Sequence, residues 1–376
     1  MRYKIFFLFL LLNILLGAFI LSPKNNVQEE VNLQCALLQK YLDKYQEIKN
    51  QGGWPVIKAG KIISLGMTDT RMQKIKQRFI ISGELIKTTT TITDTFDVAL
   101  ENAVKQFQKN NSLQITGIID NKTIKELNIS VAARIHQLEI NLERWKNMPS
   151  KFEKKYFFIN IAANEFELIE NDSLIMSMKI IVGRSDRKTP VFNADVTYII
   201  FNPYWIIPPG IMKKDILQKV KADTSYISKN NMIVYKDNKE IAYTNLNWDE
   251  VDSNHVHYKI IQTPGPNNPL GVIEFTFPNP YFVYMHDTPS KKLFDEPSPA
   301  FSSGCIRVSK AVELAKYILL EDKNWKGDKI DSLINTGKNY KVYLNNPIKI
   351  YITYFTAWVN KDGSLQFAPD IYKKDN

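Results

Sequence analysis

The chain predicts an α+β multidomain protein, helical in its N-terminal part and mostly β from about residue 151, with an inserted subdomain interrupting the β part. Three observations carry this reading. Apolar residues recur at helical spacing between Leu37 and Trp145. From Tyr156 the rhythm changes to short β-branched and aromatic runs parted by turn residues. At 376 residues the chain is long enough for two or three separate cores, so site residues need not be close in sequence.

The N-terminus predicts export. Arg2 and Lys4 precede an apolar run from Ile5 to Leu21, broken by Asn13 and Gly17, and the chain turns polar at Lys24. That order is the signature of a secretory signal. Gly17, Ala18 and Ser22 offer small residues but no Ala-x-Ala site, and the run falls short of the about 20 residues of a spanning helix. A cleaved signal peptide and a membrane anchor over residues 1–22 therefore both stay open.

Residues 23–58 are expected to be a helical scaffold segment, with Leu37, Leu38, Tyr41, Leu42 and Tyr45 on one face, ending at Gly52-Gly53-Trp54-Pro55. Residues 59–128 repeat the logic as a small helical module: Met72, Ile75 and Phe79, then Val98, Leu100, Val104 and Phe107, then the Gly117-Ile118-Ile119-Asp120 turn before Ile124 and Leu127. Residues 129–150 read as a linker helix carrying Ile135, Leu138, Leu142 and Trp145. Strands follow at Tyr156–Ile161, Phe166–Ile169, Leu174–Val182, Val196–Phe201 and Val272–Phe277, and a strand at Phe282–Met285 delivers His286. Between them, residues 213–258 lose the strand rhythm and are polar, turn-rich and poor in core residues. Ser309 is placed to cap a helix with Val312, Ala315, Ile318 and Leu319 as its apolar stripe, and residues 338–376 read as a C-terminal β extension.

The 49 basic against 39 acidic residues give a net charge of +10. The lysines are scattered among Asn and Ile without long basic blocks, so a solvated surface accounts for them and nucleic acid is not expected as a partner. No phosphate loop or nucleotide fingerprint occurs, and no cofactor is expected. His255 and His257 alternate on a strand without the partners of a metal site, so they are read as exposed histidines, and no metal is expected.

The most constraining segment is Ser302-Ser303-Gly304-Cys305-Ile306-Arg307, a short loop after His286-Asp287-Thr288-Pro289, in a chain with two cysteines. A cysteine among small residues, with an arginine two positions on and a histidine available, has what a thiolate nucleophile needs: close approach, positive charge and a base. The other cysteine, Cys35, lies too far downstream of the apolar run for lipid modification, and pairing it with Cys305 would block the thiol.

At these residues the chain resembles the L,D-transpeptidase (YkuD-type) catalytic domain. Asp287 stands where short members carry Gly, and Ser303 where they carry His; both match the large, membrane-associated YcbB-like class. Phe96 to Asn128 resembles a type 1 peptidoglycan-binding domain, for which recruitment to the wall and a structural spacer are both open readings. The resemblance extends to the tail from Val342 to Ile371 and implies a catalytic domain over 151–337, a mobile cap at about 213–258, and a periplasmic location with membrane contact only through the N-terminal segment.

Cys305 is accordingly the expected nucleophile and His286 its base, the imidazole raising the thiolate fraction by pairing or by taking the proton. A backbone carbonyl is expected to fix the His286 tautomer, because Asp287 follows it on a strand and points away. Backbone N–H groups around Ser303, Gly304 and Cys305 are candidates for the oxyanion. Arg307 either recognises a carboxylate or braces the loop. Ser302, Tyr284 and Trp205 are candidate substrate contacts, Tyr204 and Tyr281 candidate groove aromatics, and the loop around Gly265 either a plain turn or a gate. The function expected from the resemblance is formation of 3-3 peptidoglycan crosslinks: Cys305 attacks the carbonyl of the third residue of a stem tetrapeptide, D-alanine leaves, and an amine of a second stem resolves the acyl-enzyme. Stem peptides are the expected partners and carbapenems the expected inhibitors. The alternatives are a cysteine carboxypeptidase or endopeptidase using water, and a non-catalytic wall-binding scaffold.

Overall fold

The structure is a computed structural model that describes residues 27–86, 93–251, 258–320, 322–325 and 328–376. The N-terminal segment 1–22, and His255 and His257, lie outside the described residues. Among those described, no helix is long and apolar enough to cross a membrane.

Five helices come first: α1 (Val27–Asn50), α2 (Met72–Ser82), α3 (Val98–Asn110), α4 (Asn121–Leu127) and α5 (Val131–Lys146). Side-chain caps start three of them. Asp97 accepts from the Leu100 N–H, Asp120 from Thr123 and Ser130 from Ala133, each satisfying one of the free amides of a first turn. α2, α3 and α4 enclose a small core of Ile75, Phe79, Leu100, Phe107 and Ile124. α1 and α5 lie side by side. They pack on each other through Leu38, Leu42, Leu138 and Trp145 and against Phe355 and Phe367 of the C-terminal tail, so these two helices and the tail share one core.

The β part is built on a nine-stranded sheet that closes on itself. Its first strands are β1 (Lys155–Asn160), β2 (Glu165–Glu170), the long β3 (Ser173–Gly183) and β4 (Phe192–Phe201). The insertion expected to be a cap follows, with β5 (Trp205–Ile206), three short helices α6 (Pro209–Ile211), α7 (Leu217–Ala222) and α8 (Tyr226–Lys229), then β6 (Met232–Lys236), β7 (Lys239–Ile241) and β8 (Tyr258–Gln262). The chain returns through β9 (Ile273–Thr276), β10 (Met285–His286), β11 (Ala300–Ser302), β12 (Ile306–Val308), α9 (Ala311–Leu319), α10 (Lys329–Asn335) and β13 (Tyr340–Thr353), and ends in the hairpin of β14 (Ala357–Val359) and β15 (Leu365–Phe367). The order is β11-β3-β12-β10-β9-β4-β13-β1-β2, and β2 pairs in turn with β3. β3 does this by giving its first half to β2 and its last residues to β12 and β11. Closure leaves the inward residues Phe157, Val196, Phe275 and Ile350 fully buried in one core.

Three expectations change. The insertion is not poor in core residues: Leu217, Val220, Ile227, Val234 and Trp248 are buried together, and a separate four-stranded sheet β5-β8-β6-β7 supports them. Its apolar residues come in runs between Lys, Asp and Asn that are too short for a periodicity to register. The strand expected before His286 is only Met285–His286 and includes His286 itself; the expected start at Phe282 instead takes φ 56°, which a strand does not allow. Ser309 does not cap α9; the helix starts after Lys310 without a side-chain cap, and its buried residues are Ala311, Leu314, Ala315 and Leu319.

Candidate active site

β10 and β12 run parallel and adjacent, with Met285 opposite Ile306 and His286 opposite Arg307. The Ile306 N–H donates to the Tyr284 carbonyl at 3.0 Å, which fixes Cys305 beside Tyr284 at one end of the barrel. Cys305 and His286 thereby line one cavity of about 1050 Å³ between the barrel and the cap. A second cavity, of about 340 Å³, lies against Trp145, Phe158 and Phe355. Those rings stack on one another and neither cysteine nor histidine lines that cavity, so the chemistry belongs to the larger one.

The turn that carries Cys305 is self-bonded. Gly304 has φ 119°, in the left-handed region a side chain disfavours. Its N–H donates to the Ser302 Oγ at 3.1 Å, and the same hydroxyl donates to the Cys305 carbonyl. One expectation changes here. Ser302 lines the cavity but is buried with its hydroxyl engaged inside the turn, and the Gly304 N–H is taken by that hydroxyl and is not a free oxyanion donor. Thr189 Oγ1 completes the turn by donating to the Gly304 carbonyl at 2.8 Å.

His286 is buried, and its Nδ1 bonds the Asp287 backbone carbonyl. A carbonyl only accepts, so the proton sits on Nδ1 and Nε2 carries the free lone pair. The Asp287 carboxylate points elsewhere, accepting from the Val272 N–H at 3.0 Å and pairing with Lys291. Burial, helped by the nearby Arg307 charge, holds the His286 pKa down at about 3. Burial pushes the Cys305 thiol up to about 11; the Tyr284 N–H and phenol and the Arg307 charge favour the thiolate, while buried Glu274 opposes it. The resting pair is thus a neutral thiol and a neutral imidazole. Of the two routes expected for the imidazole, this favours taking the proton over standing ion pairing.

Arg307 lines the cavity, its Nε buried without a hydrogen-bond partner. The brace of the loop is Arg187, whose Nη1 donates to Ser303 Oγ at 2.7 Å and whose guanidinium grips Asp215 of the cap, Nη2 to Oδ1 being 2.9 Å. Trp205, Tyr281 and Tyr284 line the cavity, as does the exposed Phe282; Tyr204 and Gly265 do not.

Sequence reasoning missed Arg187, Thr189 and Glu274. Glu274 lies directly across the ladder from His286. The signal for the first two was Gly183: a Cβ there would stand 2.1 Å from the Arg187 carbonyl oxygen, so glycine is required for the 184–189 turn to fold back onto the cysteine loop. Among the described residues no cluster suited to a metal ion occurs.

Residues 154–343 match the family described as "L,D-transpeptidase catalytic domain", and residues 68–127 the one described as "putative peptidoglycan binding domain". A curated relative from Haemophilus influenzae, described as "putative L,D-transpeptidase", is 30% identical over 254 residues, which are 67% of this chain and 50% of the relative. The chain spans about half the length of that relative. Among solved structures, an L,D-transpeptidase from Xylanimonas cellulosilytica is 13% identical with a TM-score of 0.25, over 79% of this chain and 99% of that one. One from Stackebrandtia nassauensis is 9% identical with a TM-score of 0.29, over 77% and 94%.

Proposed function

The chain belongs to the L,D-transpeptidase catalytic-domain family, and from that premise we propose that it forms 3-3 crosslinks in peptidoglycan through an acyl-enzyme on Cys305. The observation that carries this is the meeting of Cys305, His286 and Arg307 in one cavity large enough for a peptide.

As Sγ attacks the carbonyl of the third stem residue, its proton passes to His286 Nε2. The thiol attacks without first ionising, which suits a sulfur whose burial disfavours the free thiolate. The Tyr284 phenol, within reach of Sγ, stabilises the charge that develops. Collapse of the tetrahedral adduct breaks the peptide bond, and the imidazolium returns its proton to the departing D-alanine amine. A neutral amine of a second stem then attacks the thioester, gives its proton to Nε2, and the proton goes back to the leaving sulfur. Arg307, with no brace to form, takes a substrate carboxylate in its planar fork. The chain works in the periplasm, exported by the signal at 1–22, and the module at 68–127 keeps it near the wall.

The test is incubation of the purified protein with disaccharide-tetrapeptide and mass analysis of the products. A crosslinked dimer with loss of D-alanine is expected; a tripeptide alone makes the protein a carboxypeptidase. A carbapenem is expected to add covalently to the wild type and not to Cys305→Ala, and an adduct on the variant removes Cys305 as the nucleophile.

A further inference from the structure

The wall of the large cavity is unbalanced in charge. Arg184, Arg187, Lys214, Lys219 and Arg307 line it, against the single carboxylate Asp215. Asp215 is held bidentate by Arg187, so one cation is neutralised. Arg184 pairs with Asp186 at 3.4 Å and, like Lys219, lies within the field of Asp215; Lys219 also lies over the Tyr226 ring at 5.4 Å; Arg307 sits deep, near the thiol. The surplus therefore has two centres. One is Arg307 at the reacting sulfur. The other is at the seam where the 184–189 turn meets the cap, with Arg184 on the barrel side, its backbone N–H fixed to the Ser302 carbonyl at 3.0 Å, and Lys214 and Lys219 on the cap side.

We propose that the seam is a carboxylate subsite, built by Arg184, Lys214 and Lys219, that selects acyl donors carrying a free carboxylate remote from the carbonyl under attack. This rests on the reading of the protein as a peptidoglycan acyltransferase and names the form of its donor: stems with free side carboxylates and not their amidated forms. Arg307 takes a carboxylate close to the reacting bond and the seam takes one further along the peptide, and an extended chain of a few residues joins the two. The charges come from both barrel and cap, so the donor's carboxylate also draws the cap onto it. A cleft of one charge sign concentrates ligands of the other and accelerates their capture.

The experiment compares acyl-enzyme formation by the full protein with two donors, the disaccharide-tetrapeptide as the free acid and the same compound amidated on its side carboxylates. Iodoacetamide labelling of Cys305 serves as a readout independent of turnover. The free acid is expected to react with a kcat/KM about 10-fold or more above the amidated donor, the range for a charge-assisted hydrogen bond. Added salt is expected to narrow the gap. Arg184→Gln with Lys214→Gln is expected to bring the ratio to within about twofold, mainly through KM, while the labelling rate is unchanged. Equal reaction of both donors with the wild type, or an unchanged ratio in the variant, overturns the subsite and leaves the acyltransferase standing. If neither donor acylates an enzyme whose thiol labels normally, the acyltransferase reading falls and the subsite falls with it.

Discussion

His286 Nδ1 faces a carbonyl, so the only nitrogen able to take a proton from Cys305 is Nε2. Because burial and Arg307 keep its pKa near 3, the imidazole stays unprotonated far below neutrality. The acylation rate of the folded enzyme is therefore expected to be flat between pH 7 and pH 5, where an unshifted histidine would lose most of its free base. His286→Ala is expected to lower acylation by about two to four orders of magnitude, as the loss of a general base does; a rate within a few-fold of wild type would make the residue structural. On the other side, a thiol held near 11 keeps gaining thiolate throughout the alkaline range. Its iodoacetamide labelling should rise beyond pH 10 with no plateau near 8.5. Glu274→Gln removes a negative charge that disfavours the thiolate, so it is expected to move the labelling profile to lower pH; an unmoved profile would show that Glu274 exerts no field on the sulfur.

The element that holds the Cys305 turn is the C-terminal tail. Tyr372 is fully buried, donates its hydroxyl to the Gly183 carbonyl at 2.6 Å and accepts from the Thr189 N–H at 3.1 Å. Thr189 in turn receives the Gly183 N–H at 2.9 Å and donates to Gly304. Tyr372→Phe leaves a buried carbonyl and a buried amide unpaired, a cost of about 1–3 kcal/mol, and lets the turn under Gly304 loosen. A lower melting temperature together with slower acylation is expected; a stable variant with full activity would separate the tail from the site. This dependence also shows why the sequence was legible in some places and not in others. His286 and the Ser302–Arg307 turn were readable because their residue types declare thiol chemistry and lie within one short stretch. The β rhythm from Tyr156 was readable because alternation is local. The Tyr372–Gly183 bond spans 189 residues and the Thr189–Gly304 bond 115, and no local pattern encodes a contact at that distance. The core of the cap was missed for the opposite reason. Leu217, Ile227 and Trp248 are recruited from elements of only three to six residues, so periodicity has too few turns to register.

At the scale of the whole molecule, burying the thiol and the imidazole confines the pH range over which the fold is most stable. His286 titrates at about 3 in the folded chain and at about 6.5 when unfolded. Below pH 6.5 the unfolded chain therefore binds a proton that the native chain refuses. Stability present above that pH is lost as the pH falls toward 3, at about 1.4 kcal/mol per unit from this group alone. Cys305 works in the other direction: its folded pKa of about 11 exceeds the unfolded value of about 8.5, so its contribution is complete below pH 8.5 and disappears as the pH rises toward 11. Removing either group should flatten one limb and leave the other. Melting temperatures of wild type, His286→Asn and Cys305→Ala, each followed from pH 5 to pH 10.5, test this. His286→Asn is expected to lose about 2 kcal/mol less than wild type between pH 7 and pH 5, and Cys305→Ala to lose less than wild type above pH 9. Parallel curves for all three proteins would mean that neither buried group changes its protonation between the folded and unfolded chain. A preformed ion pair would instead tilt both limbs the opposite way, because it raises the imidazole pKa and lowers the thiol pKa on folding, and His286→Asn would then lose more stability than wild type toward pH 5.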